Sequence, residues 1–319
     1  MNAFKALLMR EYWEHRGAFI KTPIILGIIT SVILILAYLL VDKVDVNFNS
    51  GQGLEYGLLQ MESMKSQDMV TITNTFLTGV EGVYHFVLFI VIFFFLLGSL
   101  FDDRKDLSIL FWKSLPVSDL STVLSKLAAA LIIAPLCFWV ILIATELVSM
   151  ILLSIFLLLH GANPFTLLWA NTDLISHWAA FGLGCLVQGL WALPIYGWLL
   201  LCSSWAKRRP FIWAVGLPSV VFFLRGWFAA FSFSAQSFMN VAELLKSIGT
   251  IFINALAPYE SRSDFLSSFN LGVHDMTQAE LIIKSMLNGL MSSKIVYGIV
   301  FSAVCVAIAI FLRRYRNTT

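Results

Sequence analysis

The sequence has few charged residues and long stretches without any charge at all. Asp, Glu, Lys and Arg make up 13% of the 319 residues, whereas hydrophobic residues make up 59%. The mean hydropathy is +0.85. This composition excludes a soluble globular chain of this length. We therefore interpret the chain as an integral membrane protein.

The sequence also lacks a surplus of basic residues and closely spaced pairs of cysteines. The 21 Lys and Arg residues are nearly balanced by 19 Asp and Glu residues, so the chain lacks the positive charge that phosphate backbones select, and we expect no nucleic-acid binding. The few cysteines show no CxxC or CxxH spacing, which argues against a disulfide framework and against a metal site. They lie in apolar stretches and are interpreted as buried free thiols: Cys137, Cys185, Cys202 and Cys305.

No catalytic signature appears in the sequence. The patterns HExxH, GxSxG, GxxxxGK[ST] and a GxGxxG after a strand are all absent, so we assign no catalytic residue, metal ligand or ATP-binding motif. If ATP drives this protein, another chain must hydrolyse it. The histidines are scattered, and we expect them to be interfacial or solvated at span ends or in loops: His15, His85, His160, His177 and His274.

Six segments are long and apolar enough to cross a membrane. A helix needs about 20 mostly apolar residues to cross the hydrocarbon core. The sequence predicts an all-α protein with six transmembrane helices, of which the fourth contains Pro194 and is expected to bend there. The predicted spans are 22–41, 82–101, 127–159, 174–206, 210–233 and 295–312.

The distribution of basic residues predicts that both termini are cytoplasmic. With six spans, most Lys and Arg residues fall on the side that holds the two termini, as the positive-inside rule requires. Residues 1–21 then form an interfacial elbow segment before a transmembrane domain at 22–319. Two external segments are expected at 42–81 and 234–294, and the second includes an apolar run at 242–257 that is too short and polar for a span.

Two charged residues fall inside predicted spans. Glu146 lies in the third span and Arg225 in the fifth. An ionised residue at the centre of a membrane helix costs about 2.5–3.5 kcal/mol on insertion scales, so both are expected to face protein or water. Either they form a structural ion pair, or they line a polar pathway for a substrate.

The cytoplasmic loop at 102–122 is the most informative polar segment. Charged residues come first, including Asp103 and Arg104, and a bulky apolar patch follows at Ile109, Leu110, Phe111 and Trp112. Pro116 then favours a break, and Ser118 or Asp119 is expected to cap the next helix. The patch either rests in the lipid headgroups or docks a cytoplasmic partner.

Several of these segments together resemble the permeases of bacterial ABC exporters of the ABC-2 class. Arg10-Glu11-Tyr12-Trp13-Glu14-His15-Arg16 is similar to that family's amphipathic elbow. The segments 111–118 (FWKSLPVS) and 193–198 (LPIYGW) resemble parts of a bacterial subgroup. Six spans with cytoplasmic termini also fit, whereas the long external segment before the last span departs from the smallest members.

The resemblance implies a permease that exports an unidentified substrate, for which a hydrophobic molecule is one candidate. It implies a second permease subunit, in a homodimer or a heterodimer, and two copies of a separate ATPase subunit that holds ATP and Mg. A coupling helix within 103–115 would contact the ATPase through Asp103, Arg104, Ile109, Leu110, Phe111, Trp112 and Pro116. The resemblance also implies the bacterial inner membrane.

Other functions remain open at this point. A membrane scaffold or sensor would bind a partner through the external segments without transport. An intramembrane enzyme using Glu146 would need a second acid or a metal cluster at the same depth. A passive channel would need a ring of polar residues, which the sequence does not indicate.

Overall fold

The computed structural model of this chain is helical throughout its described part. It describes residues 3–41, 66–107, 114, 117–159, 161–230, 255, 283–284, 286–287, 290 and 293–315, and within these residues no strand occurs. The predicted all-α fold is confirmed for this part of the chain. The apolar patch at 109–112, together with Pro116, and nearly all of the segment at 234–294 lie outside the described residues.

The helices follow one another along the chain with short connections where these are described. Their bounds are α1 Ala3–Glu14, α2 Thr22–Val41, α3 Ser66–Lys105, α4 Asp119–Ala128, α5 Ala134–Leu159, α6 Pro164–Leu167, α7 Leu174–Trp205, α8 Leu217–Ala230 and α9 Ser293–Tyr315. Ser118 caps α4 as predicted, because its hydroxyl accepts a hydrogen bond from the Ser121 amide at 3.1 Å.

Five described segments are long and apolar enough to cross a membrane, which is the character of a multi-pass membrane protein. They are Gly17–Leu40, Thr73–Lys105, Asp119–Leu159, Leu174–Trp205 and Ile295–Tyr315. The predicted fifth span corresponds to α8 and the turn before it, in which the apolar stretch Ile212–Val221 is shorter than the others.

One span boundary differs from the sequence prediction. Helix α3 begins at Ser66, and its membrane-type segment begins at Thr73, nine residues before the predicted start at 82. Residues 69–80 carry no formal charge, which allows the helix to continue past Glu81. Helix α4 begins at Asp119, directly after the predicted cap, and the apolar segment Asp119–Leu159 contains the predicted span at 127–159.

Within the described ranges, three five-residue π-helical turns interrupt the helices, at Gly17–Lys21, Ala129–Ile133 and Ile212–Gly216. A proline follows each turn by two residues: Pro23, Pro135 and Pro218. A proline ring clashes with the carbonyl four residues earlier and lacks the amide that would bond to it, and the wider π turn relieves that clash. In the third turn the carbonyl left without its helical donor belongs to Ala214, and it accepts a hydrogen bond from Trp198 Nε1 at 3.0 Å.

Helix α7 is the centre of the bundle and packs against α3, α5 and α9. It runs unbroken through Pro194. Gly197 and Gly298 allow α9 to approach, since a Cβ at Gly197 would lie 2.9 Å from Ser302 Cα, and one at Gly298 would lie 3.4 Å from the Pro194 ring. By contrast, α2 lies at the edge of the bundle against α5, with most of its side chains exposed.

One end of the bundle carries both terminal segments. Arg10 of α1 and Arg313 of α9 both contact Asp103, near the end of α3. We call this the termini end and the opposite one the far end. Helix α1 packs on α4 at the termini end, with Leu7 and Glu11 buried and Trp13 exposed.

Candidate functional site

Six charged side chains from four helices meet at the termini end of the bundle. Helix α1 supplies Arg10 and Glu11, α3 supplies Asp103, α4 supplies Asp119 and Lys126, and α9 supplies Arg313. We call these six residues the ion cluster. It brings together residues that are far apart in the chain and flanks both ends of the loop at 106–118.

Asp103 is the centre of the ion cluster. Its carboxylate lies 3.3 Å from Arg10 Nη2, 3.4 Å from Lys126 Nζ and 3.3 Å from Arg313 Nη1. Lys126 also reaches Glu11 at 3.2 Å, and Arg313 reaches Asp119 at 2.9 Å. Every cation of the cluster therefore contacts at least one carboxylate, and two of them contact two different helices.

The centre of the ion cluster is buried, whereas Arg10 and Asp119 at its edge are partly exposed. Three cations face three anions within the six residues, so their charges sum to zero. At the exposed edge, Arg10 Nε also lies 3.0 Å from the Glu14 carboxylate. Glu11 is 0% exposed and Lys126 1%. Because an unpaired buried charge is strongly destabilising, this balance is what permits six ionised groups to be packed together. The cluster fixes the position of the four helices relative to one another.

The structure places two of the predicted coupling residues in contacts within the chain. Asp103 is 4% exposed and points into the ion cluster. Arg104 donates hydrogen bonds to the carbonyls of Ser203 and Ala206 at the end of α7. Both therefore hold the bundle together, whereas the other predicted coupling residues, Ile109 to Trp112 and Pro116, are not among the described residues.

His15 connects the ion cluster to the aromatic core next to it. Its ring meets the edge of the Phe95 ring, with centroids 4.7 Å apart, and its Nε2 lies 3.9 Å from Glu11. Burial lowers the pKa of His15 below the ordinary value of 6.5, although the nearby carboxylates of Glu11 and Glu14 act in the opposite direction. The ring is thus held mainly in its neutral form at pH 7.

A second polar group lies in the far half of the bundle, around Glu146. Glu146 is 1% exposed, and its Oε2 accepts a hydrogen bond from Trp178 Nε1 at 2.8 Å. The predicted pairing with Arg225 falls on a side chain outside the described ones, although the backbone of Arg225 lies in α8. The described partner of Glu146 is therefore on α7 and is neutral.

His177 precedes Trp178 on α7 and binds α3. Its Nδ1 lies 3.0 Å from Glu81 Oε1, and its Nε2 lies 3.3 Å from Asn74 Oδ1. We call Glu81, Glu146 and His177 the acid site. Adjacent residues of α7 connect the two carboxyl groups, because His177 binds Glu81 and Trp178 binds Glu146, so two carboxyl groups and one imidazole share a buried region.

His85 is also buried and hydrogen-bonded. Its Nδ1 lies 3.0 Å from Gln188 Oε1, and the Gln188 amide donates at 2.9 Å to the carbonyls of both His85 and Ala255. The expectation of interfacial or solvated histidines is therefore wrong for His85 and His177, which are 0% and 1% exposed. A polar side chain on a neighbouring helix binds Nδ1 of His85, and two such side chains bind the two ring nitrogens of His177.

Little in the sequence indicated either cluster. The contacts of Asp103 join residues separated by 93 positions in one case and 210 in another, and no local spacing predicts such pairs. For the acid site one signal was available. The charge-free stretch 69–80 next to Glu81 would have placed Glu81 within a membrane-type helix.

Comparison with protein families, with curated proteins and with solved structures finds no match to this chain. Its function is therefore argued from the sequence pattern and from the two clusters.

Proposed function

We propose that this chain is the transmembrane permease subunit of an ATP-driven exporter of the ABC-2 class. In this proposal, ATP hydrolysis by a separate ATPase subunit drives the export of a substrate that the sequence does not identify, with a hydrophobic molecule as one candidate. The observation that carries the proposal is the ion cluster, which ties both ends of the predicted coupling loop to the elbow helix and to the last helix.

The ion cluster is suited to transmit a displacement of that loop. A flexible polar loop transmits little motion, whereas rigid elements in contact pass it on. Asp103 lies two residues before the end of α3 and Asp119 is the first residue of α4, so a force on the intervening loop acts on both helices. Through Arg10 and Arg313 the same force reaches α1 and α9.

The chain path supports six spans with both termini on one side. Arg104 joins the end of α7 to the termini end, and Arg313 places the end of α9 there too. Helix α9 therefore begins at the far end. The chain between residue 206, at the termini end, and residue 293 has to cross from the termini end to the far end. In the proposal, α8 with its preceding turn is the sixth crossing.

The proposed assembly contains two permease chains and two ATPase subunits in a bacterial inner membrane. The second permease is an identical or a related chain, ATP and Mg are bound by the ATPase subunits, and both termini are cytoplasmic. Because Asp103 and Arg104 are engaged within the chain, the ATPase contact is assigned to the apolar residues Phe111 and Trp112. Aromatic anchors of this kind contribute most to binding when they enter a pocket of the partner.

Affinity purification in mild detergent tests this proposal. The tagged chain is isolated with its native partners, the associated chains are identified by mass spectrometry, and ATP hydrolysis is measured after transfer to lipid. We expect a nucleotide-binding subunit to co-purify with the wild type. The double variant Phe111→Ala/Trp112→Ala should lose that subunit and the associated ATPase activity while still inserting into the membrane.

A matched control is available at the far end of the bundle. Phe165 of α6 is 71% exposed, and Phe165→Ala removes an exposed aromatic ring without touching the loop. This control should retain the ATPase subunit. Full co-purification with the double variant would refute the assigned contact, and recovery of the wild-type chain alone, without ATPase activity, would favour a membrane scaffold or sensor.

A further inference from the structure

The carboxyl group of Glu146 is buried with only one of its oxygens satisfied. Oε2 accepts the indole N–H of Trp178 at 2.8 Å. Oε1 is buried, and among the described residues no hydrogen-bond donor or acceptor reaches it. An ionised carboxylate normally accepts several hydrogen bonds or faces a cation. From the side chains that the structure describes, Glu146 has neither on this oxygen.

The charged and titratable groups around Glu146 do not neutralise it. Helix α3 contributes Glu81, Tyr84 and His85, and α7 contributes His177 with Asp173 at its start. Helix α2, which also packs on α5, has no charged residue. In the described part of the chain, neither Glu81 nor Glu146 forms an ion pair with Lys or Arg, and the one imidazole in contact belongs to Glu81.

The charges of the acid site therefore do not balance without a further positive charge. If His177 carries its proton, it offsets Glu81 and leaves Glu146 uncompensated. If His177 is neutral, both carboxylates are uncompensated. A low-dielectric interior strongly disfavours an uncompensated carboxylate, and a bound proton removes the charge at the smallest cost in space.

We propose that the acid site is a proton-binding site and that Glu146 carries the proton on Oε1 at neutral pH. The step is simple association: the carboxylate takes one proton from water, an O–H bond forms, and the group becomes neutral. Intramembrane carboxyl and imidazole groups are the usual elements of proton relays. This inference is independent of the exporter proposal, since ATP-driven export requires no proton site.

His177 connects the acid site to α3. Its two ring nitrogens face Glu81 Oε1 and Asn74 Oδ1, so a doubly protonated ring donates to both oxygens. Trp178, the hydrogen-bond donor to Glu146, is the next residue in the chain. Asp173, whose pKa is lowered mainly by hydrogen bonds from Ser176, caps the same helix at the far end.

Infrared spectroscopy of the full chain in lipid nanodiscs tests the proposal. A protonated carboxyl group gives a carbonyl stretching band that an ionised carboxylate lacks. We expect the wild type to show this band at pH 7. It should vanish in Glu146→Gln, shift in Glu146→Asp, and be lost reversibly from the wild type as the pH is raised. Glu14→Gln is the matched control, because Glu14 is an exposed carboxylate at the termini end, and it should leave the band unchanged.

Four outcomes would overturn the proposal. One is a wild type without the band at pH 7, and another is a band that survives Glu146→Gln. The third is a carboxylate band that depends on Glu146 and moves when sodium replaces potassium, which would assign the site to a metal cation. Folding itself is a further readout, since Gln matches a neutral Glu in shape. If Glu146→Gln failed to fold while Glu146→Asp folded without the protonated-acid band, Glu146 would be ionised and paired.

Discussion

Replacing Asp103 by Asn should destabilise the protein by about 3 kcal/mol. The change keeps the shape of the side chain but removes the charge that contacts Arg10 at 3.3 Å, Lys126 at 3.4 Å and Arg313 at 3.3 Å. Breaking a buried ion pair by removing one partner costs about 3–5 kcal/mol. We expect the lower end, because Lys126 keeps Glu11 at 3.2 Å and Arg313 keeps Asp119 at 2.9 Å.

A compensating change distinguishes charge imbalance from lost packing. The variant Asp103→Asn leaves three cations against two anions in the ion cluster, whereas Asp103→Asn/Lys126→Met leaves two against two. Contacting residues couple by about 0.5–3 kcal/mol, so the double variant should be more stable than the sum of the single changes predicts. The free energy of unfolding is measured in mixed detergent micelles by far-ultraviolet circular dichroism.

The neighbouring residue provides the control for this experiment. Asp102 is exposed on the same helix, and Asp102→Asn should change stability by no more than about 0.5 kcal/mol. If Asp103→Asn were as mild as Asp102→Asn, the charges at the termini end would be hydrated and the buried, balanced cluster would be the wrong description.

The other predictions concern a titrating ring and a helix contact. His15→Phe keeps the aromatic packing on Phe95 but removes the titration. The wild type should therefore lose stability as the pH falls below 6.5, since the unfolded chain binds the proton more readily there, and the variant should lose less in unfolding titrations across that range. Gly197→Ala places a Cβ 2.7 Å from Ser302 Oγ and should cost about 1–3 kcal/mol of unfolding free energy. Gly82→Ala meets nothing within 4 Å and should be neutral or slightly stabilising, because Ala favours a helix more than Gly does. If Gly197→Ala were as well tolerated as Gly82→Ala, the close approach of α9 to α7 at Gly197 would be the wrong description.

The apolar runs were sufficient to predict the helical membrane architecture, because bilayer thickness and backbone hydrogen bonding leave few alternatives. The cap at Ser118 was predictable for a similar reason, since capping depends on residues close in the chain. The second span was predicted to begin at residue 82 because Glu81 was taken as its limit. Glu81 does not interrupt α3, because His177 on another helix binds its carboxyl group.

The two clusters show what the sequence could not predict. Three charged residues that lie in or next to the predicted elbow and spans are buried: Glu11, Lys126 and Arg313. Their burial depends on which helices pack together. The same holds for His85, whose partner Gln188 lies in the apolar middle of α7. Contacts of this kind depend on tertiary packing and cannot be predicted from local sequence patterns.

The prolines that follow the π turns place points of lower bending stiffness at the starts of three helices. The turns occur before α2, between α4 and α5, and before α8, and each of these helices leaves the termini end. The long segments α3, α7 and α9 contain no π turn in their described residues, and α7 lacks one backbone amide donor at Pro194. A π turn interrupts the regular backbone bonds, so a helix bends there at lower cost than along its α-helical part. Two of the turns directly follow helices of the ion cluster, α1 and α4, so α2 and α5 can tilt about these turns while the cluster stays in place.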